Sequence, residues 1–197
     1  MKSVLISIQP KWCELIASGK KTVEVRKTKP KLKTPFKCYI YETQGRTETP
    51  WIDEDGHEIF KGRGQVIGEF VCKRIDDIRK RGVKYNFDYC YQSLNVFGND
   101  DIEVEITDIR KSCISLDDLN SYGASSACLY GWLISDLVIY DKPKELWEFQ
   151  RFPKTEHCGW GECDICKFGD FDQIDDDWFC RNIVTRPPQS WCYVEGE

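Results

Sequence analysis

Two histidines and one methionine are all that 197 residues contain. With His57 and His157 alone, Ser–His or Cys–His catalysis has little to draw on. No apolar run approaches the roughly 18 residues that a bilayer span needs. The opening residues lack the apolar core and cleavage pattern of a secretory leader. There is no Walker A sequence. Gly62, Gly64 and Gly68 have the wrong spacing for a dinucleotide fingerprint and open a strand, not a helix. Neither an internal repeat nor a βαβ rhythm is visible. These absences argue against a membrane partner, a doubly wound nucleotide enzyme and a repeat scaffold. They point to a cytoplasmic protein.

What is present begins with a sufficient core: 41% of residues are hydrophobic and 13% aromatic, so the fold needs no staples. Eleven cysteines therefore need another explanation. Cys13, Cys38, Cys72, Cys90, Cys113 and Cys128 stand singly among apolar residues and read as small buried hydrophobes. The other five crowd into the last 40 residues. Charge is uneven as well. Residues 1–37 hold ten Lys or Arg against two Glu, while the rest of the chain is acidic. A cationic end on an acidic protein suggests an anion-binding face, or simply a solvated basic loop.

Residues 2–8 alternate as a strand, and Pro10 with Trp12, Leu15, Ile16 and a Gly19 stop predicts a short helix. Residues 21–27 alternate again, with Val23 and Val25 on one side and Thr22, Glu24 and Arg26 on the other. A loop with two prolines follows, then a strand over 36–42 and a long polar excursion over 43–64. Residues 65–75 read as a strand with Gly68 as a bulge. Residues 76–95 fit a helix plus a connection, and 102–109 a strand. Ser115 and Gly123 bound a second short helix. Residues 131–141 form a strand, 141–149 a turn and short helix, and 190–195 a last strand. Several short strands and few brief helices suggest an α+β chain with a small curled sheet or barrel.

The strand–helix–Gly–Lys–Thr–strand order ending in Gly19, Lys21, Thr22, Glu24 and Arg26 resembles the ASCH family. Segments 64–72, 131–143 and 186–195 look similar to the same family. The resemblance covers about residues 2–150 and 184–195, so 1–150 plus 184–197 is expected to form one PUA-like barrel, with 151–183 a Cys-rich insertion.

Glu24 and Arg26 share one strand face and can pair, while Lys21 lies at the strand mouth. Such residues could grip a phosphate and a base edge together; they could equally be a surface ion pair of little consequence. The resemblance favours the first. It implies binding of RNA or a modified nucleotide in a cleft around Lys21, Glu24 and Arg26, with Lys11, Lys20, Lys27, Lys29, Lys31 and Lys33 for phosphates. Trp12 and Tyr41 are the candidates for base stacking, although Trp12 at helical spacing also suits a core.

Some ASCH proteins are described as hydrolases of N4-acetylcytidine that use a Lys, a Thr nucleophile and a Glu. Lys21 matches the Lys, whereas Glu24 stands where the Thr would align. Glu24 would then serve as general base on water, with Glu69 as second carboxylate. A ribonuclease of this type would use Lys21 and Tyr41. Removing Lys21 is expected to abolish the activity of the cleft without unfolding the chain.

The second constellation is Cys158, Cys163, Cys166 and Cys180 in a Gly- and Asp-rich stretch poor in aliphatics. A CxxC knuckle with two further cysteines fits a structural Zn2+ site, with His157 or Cys192 as alternative fourth ligands. Metal binding would order a segment that cannot build its own core. A redox pair or four free thiols fit the same letters less well. The segment could also serve as a protein-interaction surface.

Overall fold

The computed structural model describes residues 1–44, 51–52, 58–59, 62–83, 86–93, 109–124, 126, 128–152 and 182–196. The strands are β1 (Lys2–Ile8), β2 (Val23–Arg26), β3 (Phe36–Glu42), β4 (Trp51–Ile52), β5 (Glu58–Ile59), β6 (Val66–Val83), β7 (Asn86–Ser93), β8 (Cys128–Lys144) and β9 (Trp191–Glu195). Among the described residues two α-helices, α1 (Pro10–Ala17) and α2 (Leu116–Gly123), and two 3₁₀ turns accompany them. The class is α+β. Among the described residues no helix is long and apolar enough to cross a membrane.

The chain divides into two compact units. The first comprises Met1–Cys13, Lys37–Glu69 and Val138–Glu197; the second comprises Glu14–Phe36 and Phe70–Leu137. The long strands β6 and β8 contribute a segment to each.

In the first unit β1 lies between β3 and β9, parallel to β3 and antiparallel to β9, so its pairing is mixed. Buried Val4, Leu5 and Ile6 make β1 apolar on both faces, as a central strand should be. Tyr39, Tyr41, Leu146, Phe149 and Val194 pack around Leu5. Gly68 allows a close approach: a Cβ there would collide with the Val138 carbonyl oxygen, and so the residue marks backbone contact between strands. Gln150 bridges Ile183 and Arg151 bridges Val194, both antiparallel. The cysteine set Cys158, Cys163, Cys166 and Cys180, with His157, falls outside the described residues.

In the second unit β2 pairs antiparallel with β8, and β7 pairs with β6. Val23, Val25, Ile78, Leu119 and Leu129 form its apolar cluster. The helix expected within 76–95 is instead the end of β6 and all of β7. Antiparallel pairing supplies both segments with partners, which outweighs their weak local pattern.

Further corrections concern element ends. The turn expected after residue 141 is still strand, since β8 runs to Lys144 before a 3₁₀ turn at Leu146–Glu148. Ser115 caps α2 as expected, its Oγ accepting from Asp118 N at 3.1 Å. The stop is one residue later than Gly123: Ala124 carries the positive φ of 25° and its N–H donates to Asn120 O. Cys13, Cys38 and Cys72 are buried, Cys128 is only half-buried, and Cys113 is exposed at a φ of 57°. The strand expected over 102–109 falls almost wholly outside the described residues.

Candidate nucleic-acid interface

The site grows from the end of α1. Gly19 takes a φ of 75°, which an L side chain resists, and turns the chain back so that Lys21 N donates to Leu15 O at 2.8 Å. Thr22 N then bonds Lys111 O, and β2 starts beside the 3₁₀ turn Ile109–Ser112. Cross-strand pairing sets Glu24 opposite Trp132 and Arg26 opposite Tyr130.

Lys21, Glu24 and Arg26 come together as their spacing suggested, but inside the protein. They are 1%, 5% and 8% exposed. Lys21 Nζ donates to Val23 O at 2.9 Å and Ser112 O at 2.6 Å, and it lies 3.2 Å from Glu24 Oε2. The other carboxylate oxygen, Glu24 Oε1, lies 2.9 Å from Arg26 Nε. An ammonium has three N–H donors, and three acceptors are accounted for. The carboxylate is thus clamped between two cations, and the surface-pair alternative does not apply.

Around this centre the unit carries an exposed basic rim. Lys20 and Lys111 sit near the start of β2, and Lys27, Lys29, Lys31 and Lys33 follow its end. Thr22 is half-buried. Lys27 Nζ stands 4.9 Å over the Tyr122 ring, and Lys29 Nζ stands 4.7 Å over the Tyr130 ring. Lys29 also pairs with Asp77 at 2.9 Å. That hydrogen bond raises the Lys29 pKa, outweighing the lowering by burial. Burial raises the Tyr122 phenol pKa most; the Arg26 charge opposes it, the Glu24 charge adds to it, and the Lys27 backbone hydrogen bond has the smallest effect, a lowering.

The remaining expected residues belong to the first unit. Lys11 and Trp12 are half-buried, with Lys11 Nζ 4.9 Å over the Trp12 ring. Tyr41 is buried in the core cluster, and burial first, then Glu145, raises its phenol pKa. Glu69 accepts from Tyr140 Oη at 2.6 Å and pairs with Lys37 at 2.9 Å. Burial pushes its pKa up, but these two bonds and the nearby lysines hold it below the usual value. Tyr122 and the Ser112 carbonyl were not singled out from sequence. Ser112 lies 91 residues from Lys21, and nothing in a single chain's letters links the two.

The ASCH domain pattern matches residues 6–152. The structure is similar to that of ASCH from Zymomonas mobilis, with 16% identity and a TM-score of 0.51 over 98% of this chain and 87% of that one. A Tyr→Phe variant of that protein matches at 17% identity and TM-score 0.52, covering 99% and 91%. A Ser→Ala variant matches at 16% and 0.52, covering 98% and 88%. At such identity the likeness speaks to fold alone. No curated protein sequence matches. The pattern covers most of the chain, so the chain belongs to the ASCH domain family, a family generally associated with RNA binding.

Proposed function

We propose that this protein binds RNA or a modified nucleotide at the β2 face, in the cytoplasm, on a sheet that curls into the PUA-like barrel. The observation that carries this reading is the fixed pair of Arg26 and Glu24, 2.9 Å apart, at a strand end followed by exposed lysines. A guanidinium offers a planar fork of donors, and the adjacent carboxylate offers acceptors. Together they match a base edge that carries both kinds of group, while Lys27 and Lys29 attract the phosphate backbone.

Hydrolysis of an acylated nucleoside or of RNA by Lys21, Glu24, Tyr41 and Glu69 is the rival reading. It would require Lys21 to give up a hydrogen bond to Val23, Ser112 or Glu24 before it could hold substrate. Tyr41 would have to leave a core. Binding asks for neither change. Incubation with acylated cytidines and a mixed RNA pool, with products read by mass spectrometry, tests the two. Retained RNA without new products supports binding; products that vanish with Glu24→Gln overturn it in favour of hydrolysis.

For the cysteine segment we propose a structural Zn2+ held by Cys158, Cys163, Cys166 and one of Cys180, Cys192 or His157. Four protein ligands leave no open position for substrate, so the ion would order the segment and take no part in chemistry.

A further inference from the structure

We propose that Tyr122 and Tyr130 are base-stacking platforms for single-stranded RNA, with Lys27 and Lys29 as the phosphate contacts that go with them. This rests on the reading of the β2 face as the RNA site and names the form of RNA it takes.

Both rings belong to the unit that carries Arg26. Tyr130 is the cross-strand partner of Arg26, and Tyr122 is the next-to-last residue of α2. Tyr122 is 37% exposed and Tyr130 is half-buried. Each ring carries a lysine ammonium over it, at 4.9 Å and 4.7 Å, and both lysines come from the loop directly after Arg26. Tyr122 lies under Lys27, the residue directly after Arg26 in the chain.

The arrangement repeats one pattern: an aromatic face, a mobile-length cation above it, and solvent beyond. An ammonium attracted to a ring holds the face that a base would take. When a base stacks there, the lysine need move only to the adjoining phosphate, and cation and ring then act on successive parts of one nucleotide. Lys29 must leave Asp77 to do so. That pair is exposed, with the lysine side chain 46% open, so it contributes little and exchanges readily.

Stacking on a protein ring requires a base that is not already stacked and paired. The partner is therefore a single strand, not a duplex. Recognition by ring faces tolerates any base, which leaves discrimination to Arg26 and Glu24.

The test is equilibrium binding of one labelled single-stranded RNA and of its duplex, with melting curves for each variant. Tyr122→Ala and Tyr130→Ala are each expected to weaken single-strand binding by about tenfold. Tyr122→Phe and Tyr130→Phe keep the ring and should bind like the wild type. Lys27→Gln and Lys29→Gln should each lower the slope of log K against log salt by about 0.7. Because an alanine variant could fail to fold, 5-iodouridine photocrosslinking of the wild-type protein is run beside it. Crosslinks mapped to Tyr122 or Tyr130 support the inference. Crosslinks elsewhere, alanine variants that bind fully, or a duplex bound as tightly as the single strand overturn it. If those results come with binding that is still lost in Arg26→Lys, the β2 face remains the RNA site without these platforms. If the wild type binds no RNA, the inference and the proposed function fall together.

Discussion

Lys21 Nζ lies 3.2 Å from Glu24 Oε2, with the ammonium wholly out of solvent. The same nitrogen donates to the carbonyls of Val23 and Ser112, so one side chain ties β2, its carboxylate and the 3₁₀ turn together. Removing it would leave two carbonyls and one carboxylate oxygen short of a donor. Breaking a buried pair by deleting one member costs about 3–5 kcal/mol. Lys21→Met should therefore melt well below the wild type. This replaces the expectation that Lys21 can be removed without loss of stability; a variant with unchanged melting temperature would show that the ammonium is dispensable.

Alkaline pH should weaken the fold through Cys72. Burial raises its thiol pKa from 9.0 to about 12. Between those values the unfolded chain has lost the proton while the native one keeps it. Stability from this group is thus full below pH 9.0 and declines as pH rises towards about 12. Urea unfolding from pH 8 upward should show the decline, and Cys72→Ala should flatten it. An identical pH profile in the variant would assign the loss to other groups.

Thiol reactivity should sort the described cysteines by burial. Cys113 is exposed, whereas Cys13, Cys38 and Cys72 are buried. Brief alkylation followed by peptide mapping should label Cys113 and leave those three unmodified until denaturant is added. Early labelling of Cys38 would contradict the packing of β3 against β1.

Two glycines should differ sharply when replaced by alanine. At Gly68 the new Cβ would meet the backbone oxygen of Val138, which cannot swing aside. At Gly131 it would meet side-chain methyl groups of Val23 and Ile78 at 3.3 and 3.4 Å. Overpacking costs about 1–3 kcal/mol. Gly68→Ala should fall at or beyond the top of that range and Gly131→Ala near its bottom, as read by urea unfolding. The reverse order would contradict the close approach of β6 and β8.

The zinc proposal predicts about one Zn2+ per chain by elemental analysis. Cys163→Ser should release the metal and increase proteolysis within 155–182. Unchanged stoichiometry would remove Cys163 from the ligand set.

The sequence made the β2 motif legible because its cues are local: a helix stop at Gly19, a two-residue alternation, and charges at fixed spacing. Six of the strands could be placed for the same reason, from runs such as Lys2–Ile8 and Phe36–Glu42. The burial of Lys21 was not legible, since it depends on Ser112, 91 residues away. Nor was the end of β6, where charged residues such as Arg74 and Asp76 satisfy each other at 2.8 Å and let a polar strand persist. Tyr41 looked available for stacking because an aromatic at a strand end reads alike whether it faces solvent or core. Tyr122 escaped notice because nothing local connects the end of α2 to β2.

The central claim is that Arg26 and its clamped carboxylate partner form the RNA-binding centre. Titration of a labelled RNA with the wild type and Arg26→Lys, at roughly 50 and 200 mM salt, tests it most directly. Lysine keeps the charge beside Glu24 but loses the planar fork, which is worth about 1–3 kcal/mol in a bidentate contact. The account predicts wild-type binding that weakens steeply with salt, and a loss of about tenfold in the variant without loss of fold. Salt-independent binding, or equal affinity in Arg26→Lys, would contradict it.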